Sequence, residues 1–135
     1  MRTAILNYML DHKLLLKPLT VTEHLPWSDN GAPLYHHNKK HLYVDLDQVT
    51  QNPVIDTLNS SGIIDEITIV RVYFVTDAKQ PISNFESLIN IIKDARLTSD
   101  ISGVIQRTCQ VSNTYDNDAV TSTFEFSFRK LIPNT

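Results

Sequence analysis

The chain has 135 residues, 41% of them hydrophobic and 20% charged, and a formal net charge of −3. Those numbers predict one domain over residues 1–135, able to bury roughly two-thirds of its unfolded surface without covalent staples. They exclude a strongly basic nucleic-acid binder, whose affinity rests on clustered Lys and Arg displacing counterions, and three scattered glycines exclude a glycine-rich phosphate loop.

The first element predicted is a short helix from Thr3 to about His12, with Thr3 as cap and Ile5, Leu6, Met9 and Leu10 on one face. Asn7 and Asp11 interrupt its apolar run, so it reads neither as a secretory leader nor as a membrane span. Leu14-Leu15-Leu16 then runs into Lys17-Pro18, where the residue before proline avoids helical geometry. From residue 20 to 41 an extended irregular loop is expected. It holds Pro26, Gly31, Pro33 and a Ser-Asp-Asn turn cluster, with Trp27 and Tyr35 as large aromatics among turn formers.

H-L-Y-V-D-L-D-Q-V, from His41, alternates cleanly and predicts a half-buried strand, with Leu42, Val44 and Leu46 inward and Tyr43, Asp45 and Asp47 outward. Glu66 to Asp77 predicts a second strand, apolar on both faces and therefore interior to the sheet. Ile67, Ile69, Tyr73 and Val75 share one face with Arg71, while Val70, Val72 and Phe74 take the other. Arg71 in that row reads as a paired arginine or as one half of a salt bridge to a partner subunit. A helix from Asn84 to about Arg96 follows. Ser83 and Glu86 form a capping box, Phe85, Leu88, Ile89 and Ile92 a stripe, and Lys93 and Arg96 suit its negative end.

The last third reads as an antiparallel hairpin. One strand alternates Ile105, Cys109 and Val111 against Gln106, Thr108 and Gln110; T-Y-D-N-D turns the chain, with Asp116 and Asp118 as ordinary turn residues. V-T-S-T-F-E-F-S-F-R-K forms the other strand, and Phe124, Phe126 and Phe128 are expected to face the stripe of the second helix. Burying three such rings contributes about 1.5–3 kcal/mol each. The predicted fold class is α+β: a mainly antiparallel sheet of about four strands with two helices, in the order α-β-β-α-β-β.

Residues with chemical potential are few. Cys109 is the only cysteine, which excludes an internal disulfide and a thiolate cluster, and its apolar surroundings predict an inert buried thiol. His37 and His41 have the i, i+4 spacing of helical zinc ligands. The position after His37 is Asn38 rather than the glutamate of a metalloprotease, and Lys39 and Lys40 repel a cation. Asp45 and Asp47 on one strand face read as the wet side of a sheet rather than an acid–base pair. No catalytic, cofactor-binding or metal-binding residue is assigned, and no cofactor is implied.

Two stretches carry a family resemblance. One is D-E-I-T-I-V-R-V-Y-F-V-T-D-A-K-Q-P-I-S-N-F-E-S-L-I-N-I-I-K-D, a long strand, a proline-containing loop and an amphipathic helix. The other is S-N-T-Y-D-N-D-A-V-T-S-T-F-E-F-S-F-R-K, an acidic turn and a terminal aromatic strand. Over roughly residues 65–130 this pattern resembles the tail-terminator proteins of long-tailed, lambda-like bacteriophages; the proline- and histidine-rich stretch from Thr20 to Lys40 departs from it.

The resemblance implies a non-enzymatic virion protein of the tail and neck, made in the host cytoplasm. Six copies would form a ring that ends the tail tube and contacts the tail tube protein and the head-completion (neck) proteins. DNA would pass through the ring without specific binding, and no membrane is involved. Ring formation is heterologous, one patch meeting a different one. The interface residues expected are Trp27, Tyr35, His36, Lys39 and Lys40 in the loop, with His37 beside them, and Arg71, Glu125 and Arg129 on the sheet, where Thr121 and Thr123 share the outward face. Two alternatives remain: another neck, head-completion or tail-tube component, or a small stand-alone α+β ligand-binding or catalytic domain.

Overall fold

The computed structural model describes residues 1–12, 20–22, 41–54, 62–79, 85–116 and 118–133. They form an α+β fold: a mostly antiparallel sheet with two helices, α1 (Arg2–Asp11) and α2 (Phe85–Lys93). The sheet contains β1 (Thr20–Thr22), β2 (His41–Val44), β3 (Gln48–Val54), β4 (Ile63–Asp77), β5 (Gln106–Asp116) and β6 (Ala119–Pro133). Its order is β1-β2-β4-β6-β5, with β3 also paired to β4.

Six strands therefore stand where about four were expected. One extra strand is β1, inside the stretch read as loop. It pairs parallel with β2, Val21 opposite Leu42, a contact that no local pattern encodes. The other arises because the alternating run from His41 is two strands. β2 pairs with β4 in the register Val44↔Val72, whereas β3 starts at Gln48↔Ile69, so the three residues Asp45–Asp47 stand against only Val70 and Arg71. That one-residue bulge inverts the side-chain phase. Leu46, expected inward with Leu42 and Val44, is 70% exposed, and Gln48 and Thr50 join the outward face instead. The Asp45 N–H still donates to the Arg71 carbonyl at 2.9 Å, which holds the bulge against β4.

The bulge also supplies the cap of α1. Thr3 makes no capping hydrogen bond; the helix begins one residue earlier, and Asp47 accepts from the Arg2 N–H at 2.7 Å and from the Met1 amine at 3.1 Å. A carboxylate is favoured there because the first-turn N–H groups are unpaired and the helix dipole is positive at that end. Ile5, Leu6 and Met9 are buried as expected, but Leu10 is exposed.

Both helices pack on one face of the sheet. Ile5, Leu6 and Met9 of α1 and Leu88 and Ile92 of α2 share a core with Leu42, Val44, Val70, Val72, Phe74, Phe124, Phe126 and Phe128. Phe85 and Ile89 pack against it half-buried. The three rings of β6 are fully buried, as the C-terminal alternation predicts. β6 pairs along its whole length with β4, from Ile63↔Pro133 to Asp77↔Ala119, so the last strand closes the centre of the sheet rather than an edge. Tyr8 ties the helices together, its hydroxyl donating to the Ile91 carbonyl at 2.6 Å.

The α-helical hydrogen bonding of α2 ends at Lys93, three residues short of the predicted end, and tightens into a 3-10 turn, Asp94–Leu97. Arg96 donates back to the Lys93 carbonyl at 2.9 Å, serving the negative end of the helix as expected. Arg107 of β5 then gathers the carbonyls of this corner, donating to Arg96 at 3.1 Å, to Thr98 at 2.9 Å and to Ile101. Gly103, at φ +73°, makes the turn into β5 in a conformation that side chains disfavour. Asp116 pairs with Ala119, so the strands of the hairpin extend further toward its turn than the T-Y-D-N-D reading allowed. Ser83 and Asn84 of the expected capping box lie outside the described residues.

Candidate functional site: the open face of the sheet

The face of the sheet opposite α1 and α2 is built by the odd-numbered residues of β4 and β6 and the even-numbered residues of β3 and β5, as the pairing registers require. Among the described residues no helix covers it. Its rows run across the strands: Thr50, Ile67, Arg129 and Gln106 in one, Gln48, Ile69, Ser127 and Thr108 in the next. Arg71, Glu125 and Gln110 follow, then Tyr73, Thr123 and Ser112.

Two ion pairs lie in this surface. Arg71 and Glu125 are direct cross-strand neighbours; Nη2 and Nε of Arg71 reach Glu125 Oε2 at 3.2 and 3.3 Å, and Nη1 donates to Gln48 Oε1 at 2.6 Å. Arg129 Nε donates to Asp65 Oδ1 at 2.8 Å. The Arg129 hydrogen bond, assisted by its charge, holds the Asp65 carboxyl below its ordinary value against the opposing effect of burial. The same pair raises the Arg129 guanidinium above its own. Arg71 thus takes the paired-arginine reading, with its partner in its own chain. Ion pairs this exposed contribute little stability; their effect here is to fix two long side chains in a defined pattern on the open face.

Near its β2 end the face is no longer open. Tyr43, Val75 and Ala119 form a small second cluster with Tyr73 beside it. Thr121, expected to point toward a neighbouring subunit, is buried in that region, which removes it from any such surface. Thr123, Glu125 and Arg129 remain partly accessible. Trp27, Tyr35, His36, His37, Lys39 and Lys40 lie outside the described residues, so the loop half of the expected interface has no geometry to set beside the sheet half.

The remaining reactive groups are placed by the core. Cys109 is half-buried against the inner face, and desolvation pushes its thiol up to about 11 despite the opposing positive charges of Lys93 and Arg96. A thiol so poorly ionised suits the inert role predicted for it. Asp45 and Asp47 do not act as a pair, because the bulge separates them: Asp45 accepts from the Leu46 N–H and Asp47 caps α1.

Among the described residues, clefts flank the helices on the inner side. One, of about 540 Å³, lies between α1 and the 100–102 turn, with Asp100 and Lys130 among its lining residues. Another, of about 420 Å³, lies between α2 and β5. Neither brings together three His, Cys, Asp or Glu side chains among the described residues, and among those residues no helix is long and apolar enough to cross a membrane.

Sequence reasoning missed Asp65 and Gln48 as partners of the two outward arginines, since both pairings depend on strand register. It also missed Arg107, for which a signal existed: it stands in the same alternating row as Cys109 and Val111, where a charged residue needs buried acceptors. Compared with known protein families and with curated proteins, the sequence matches none.

Proposed function

We propose that this chain is a structural protein of a bacteriophage tail, of the tail-terminator type. In this reading copies associate into a ring, six by the resemblance, at the head-proximal end of the tail tube, stop its growth and present a surface to the neck proteins. The observation that carries the reading is the one-sided sheet. Both helices lie on one face, while the other presents fixed charges, hydroxyls and amides with half-buried Ile67 and Ile69 between them. A mixed polar and apolar face of this kind is suited to protein contact, where a polar rim surrounds an apolar centre.

The order of elements supports the same conclusion. A long central strand leads through a short connection to an amphipathic helix, and then to a hairpin whose second strand is aromatic. Arg71, Glu125 and Arg129 are proposed as contact residues on the sheet, with Trp27 and Tyr35 as the loop anchors and His36, Lys39 and Lys40 around them. DNA passes through such a ring without specific contact, in keeping with a net charge of −3.

Deleting the gene tests this function. The expected result is particles in which filled heads and tails stay separate, or tails of uncontrolled length. Normal infectious particles from the null mutant would refute it.

A further inference from the structure

We propose that β5 is a self-association edge, through which two copies of the free protein pair antiparallel about a two-fold axis at Gln110. β5 closes the sheet on one side and, among the described residues, pairs only with β6. Its other side therefore presents about ten backbone N–H and C=O groups, by the alternation of bonding directions along an eleven-residue strand.

Proteins blunt such edges with short strands, proline, lysine or bulges, because an open edge is a template for another strand. The opposite side of the sheet shows those devices: β1 has three residues, and β3 contains Pro53. β5 has none of them. Its register with β6 is unbroken from Gln106↔Arg129 to Asp116↔Ala119. The run Thr108-Cys109-Gln110-Val111-Ser112-Asn113-Thr114-Tyr115 holds no charge, glycine or proline. The nearby cation, Arg107, is engaged with three carbonyls of its own chain and does not guard the edge.

The occupant is a second copy because the strand complements itself. Two large apolar residues, Ile105 and Tyr115, stand 59% and 73% exposed at its two ends. An antiparallel pair centred on Gln110 sets Tyr115 of each chain opposite Ile105 of the other. The same register places Thr108 opposite Ser112, Cys109 opposite Val111 and Arg107 opposite Asn113, so no like charges meet. Aliphatic–aromatic and hydroxyl pairs of this kind are favourable across strands. The pairing leaves the rows of the open face exposed. It concerns the free protein and does not depend on the ring, whose contacts are heterologous.

Sedimentation equilibrium of the full chain, with and without Gln110→Lys, tests the proposal. Wild type at about 0.5 mM should approach twice the 15.4 kDa mass of one chain. Gln110 is exposed, so the lysine leaves the fold intact by circular dichroism while weakening the pair at least tenfold. In a Cys109→Ser background, Gln110→Cys should oxidise to a covalent dimer, since directly opposed residues have Cα atoms about 4.5–5.5 Å apart, within disulfide reach. Thr114→Cys should not. A single-chain mass for wild type, a dimer indifferent to Gln110→Lys, or preferential cross-linking at position 114 would overturn the proposal. So would an edge occupied only when tail tube protein is added.

Discussion

Phe126→Ala is the most telling change in the core. The ring is fully buried, lies across the sheet from Val70 on one side and Cys109 on the other, and stacks on Phe128 with centroids 6.5 Å apart and planes 3° from parallel. Removing it forfeits about 1.5–3 kcal/mol of transfer free energy and about 0.5–1.5 kcal/mol of ring–ring contact. A further loss comes from the cavity, because β4 and β5 hold the site open from both sides. The sum is about 3–5 kcal/mol, a large part of the 5–15 kcal/mol typical of a whole domain. With a urea dependence of about 1.5 kcal/mol per molar, the midpoint should fall by roughly 2–3 M. Gln110→Ala, on the exposed side of the neighbouring strand, should stay within about 0.5 kcal/mol of wild type. A Phe126→Ala loss below about 1 kcal/mol would show that the ring is not core and that the inner and outer faces have been exchanged.

The bulge cap predicts that Asp47→Ala costs about 1 kcal/mol in the same urea assay, while Thr3→Ala changes stability by less than about 0.5 kcal/mol; the reverse ranking would refute the assignment. Because Arg129 lowers the Asp65 pKa, the pair's contribution is fully present above the unfolded value of about 4 and is lost as pH falls through the folded one. The urea midpoints of wild type and Asp65→Asn should therefore differ at pH 7 and converge as pH falls below the lowered folded value, and a gap independent of pH would contradict the pairing. At a pKa of about 11 the Cys109 thiol is ionised roughly two hundred times less at pH 8 than a free cysteine. Its reaction with a disulfide reagent should be slower in the native protein than in urea by more than tenfold, the lower thiolate fraction outweighing the greater nucleophilicity of a high-pKa thiolate, and native rates within tenfold of unfolded ones would show that the thiol is accessible and ionised.

What could be read from the sequence was whatever depends on neighbours close along the chain. The stripe of α2, the alternation of β4 and the three phenylalanines of β6 all declare their faces through local period, and the core assembles from those residues. The bulge at Asp45–Asp47 could not be read, because the alternation from His41 runs unbroken through Leu46 and Asp47 and changes phase only at Gln48-Val49, after the bulge; pairing with β4 is what reveals the extra residue. β1 is invisible for a related reason: three residues acquire strand geometry from β2, some twenty positions away. On the open face, the outward direction of Arg71, Glu125 and Arg129 followed from alternation. Their partners did not, since Asp65 and Gln48 meet them only through register. Ile105 shows the converse limit, an apolar residue in an apolar row that lies just before the strand and stays exposed.

The central claim is that this chain belongs to the neck end of a phage tail, and its position in the particle tests that most directly. Gold-labelled antibody against the protein, applied to purified virions of the phage that carries the gene and viewed by electron microscopy, should mark the junction between head and tail. Label on the capsid shell or at the tail tip, or none on intact and partly disassembled particles that contain all other structural proteins, would contradict the account.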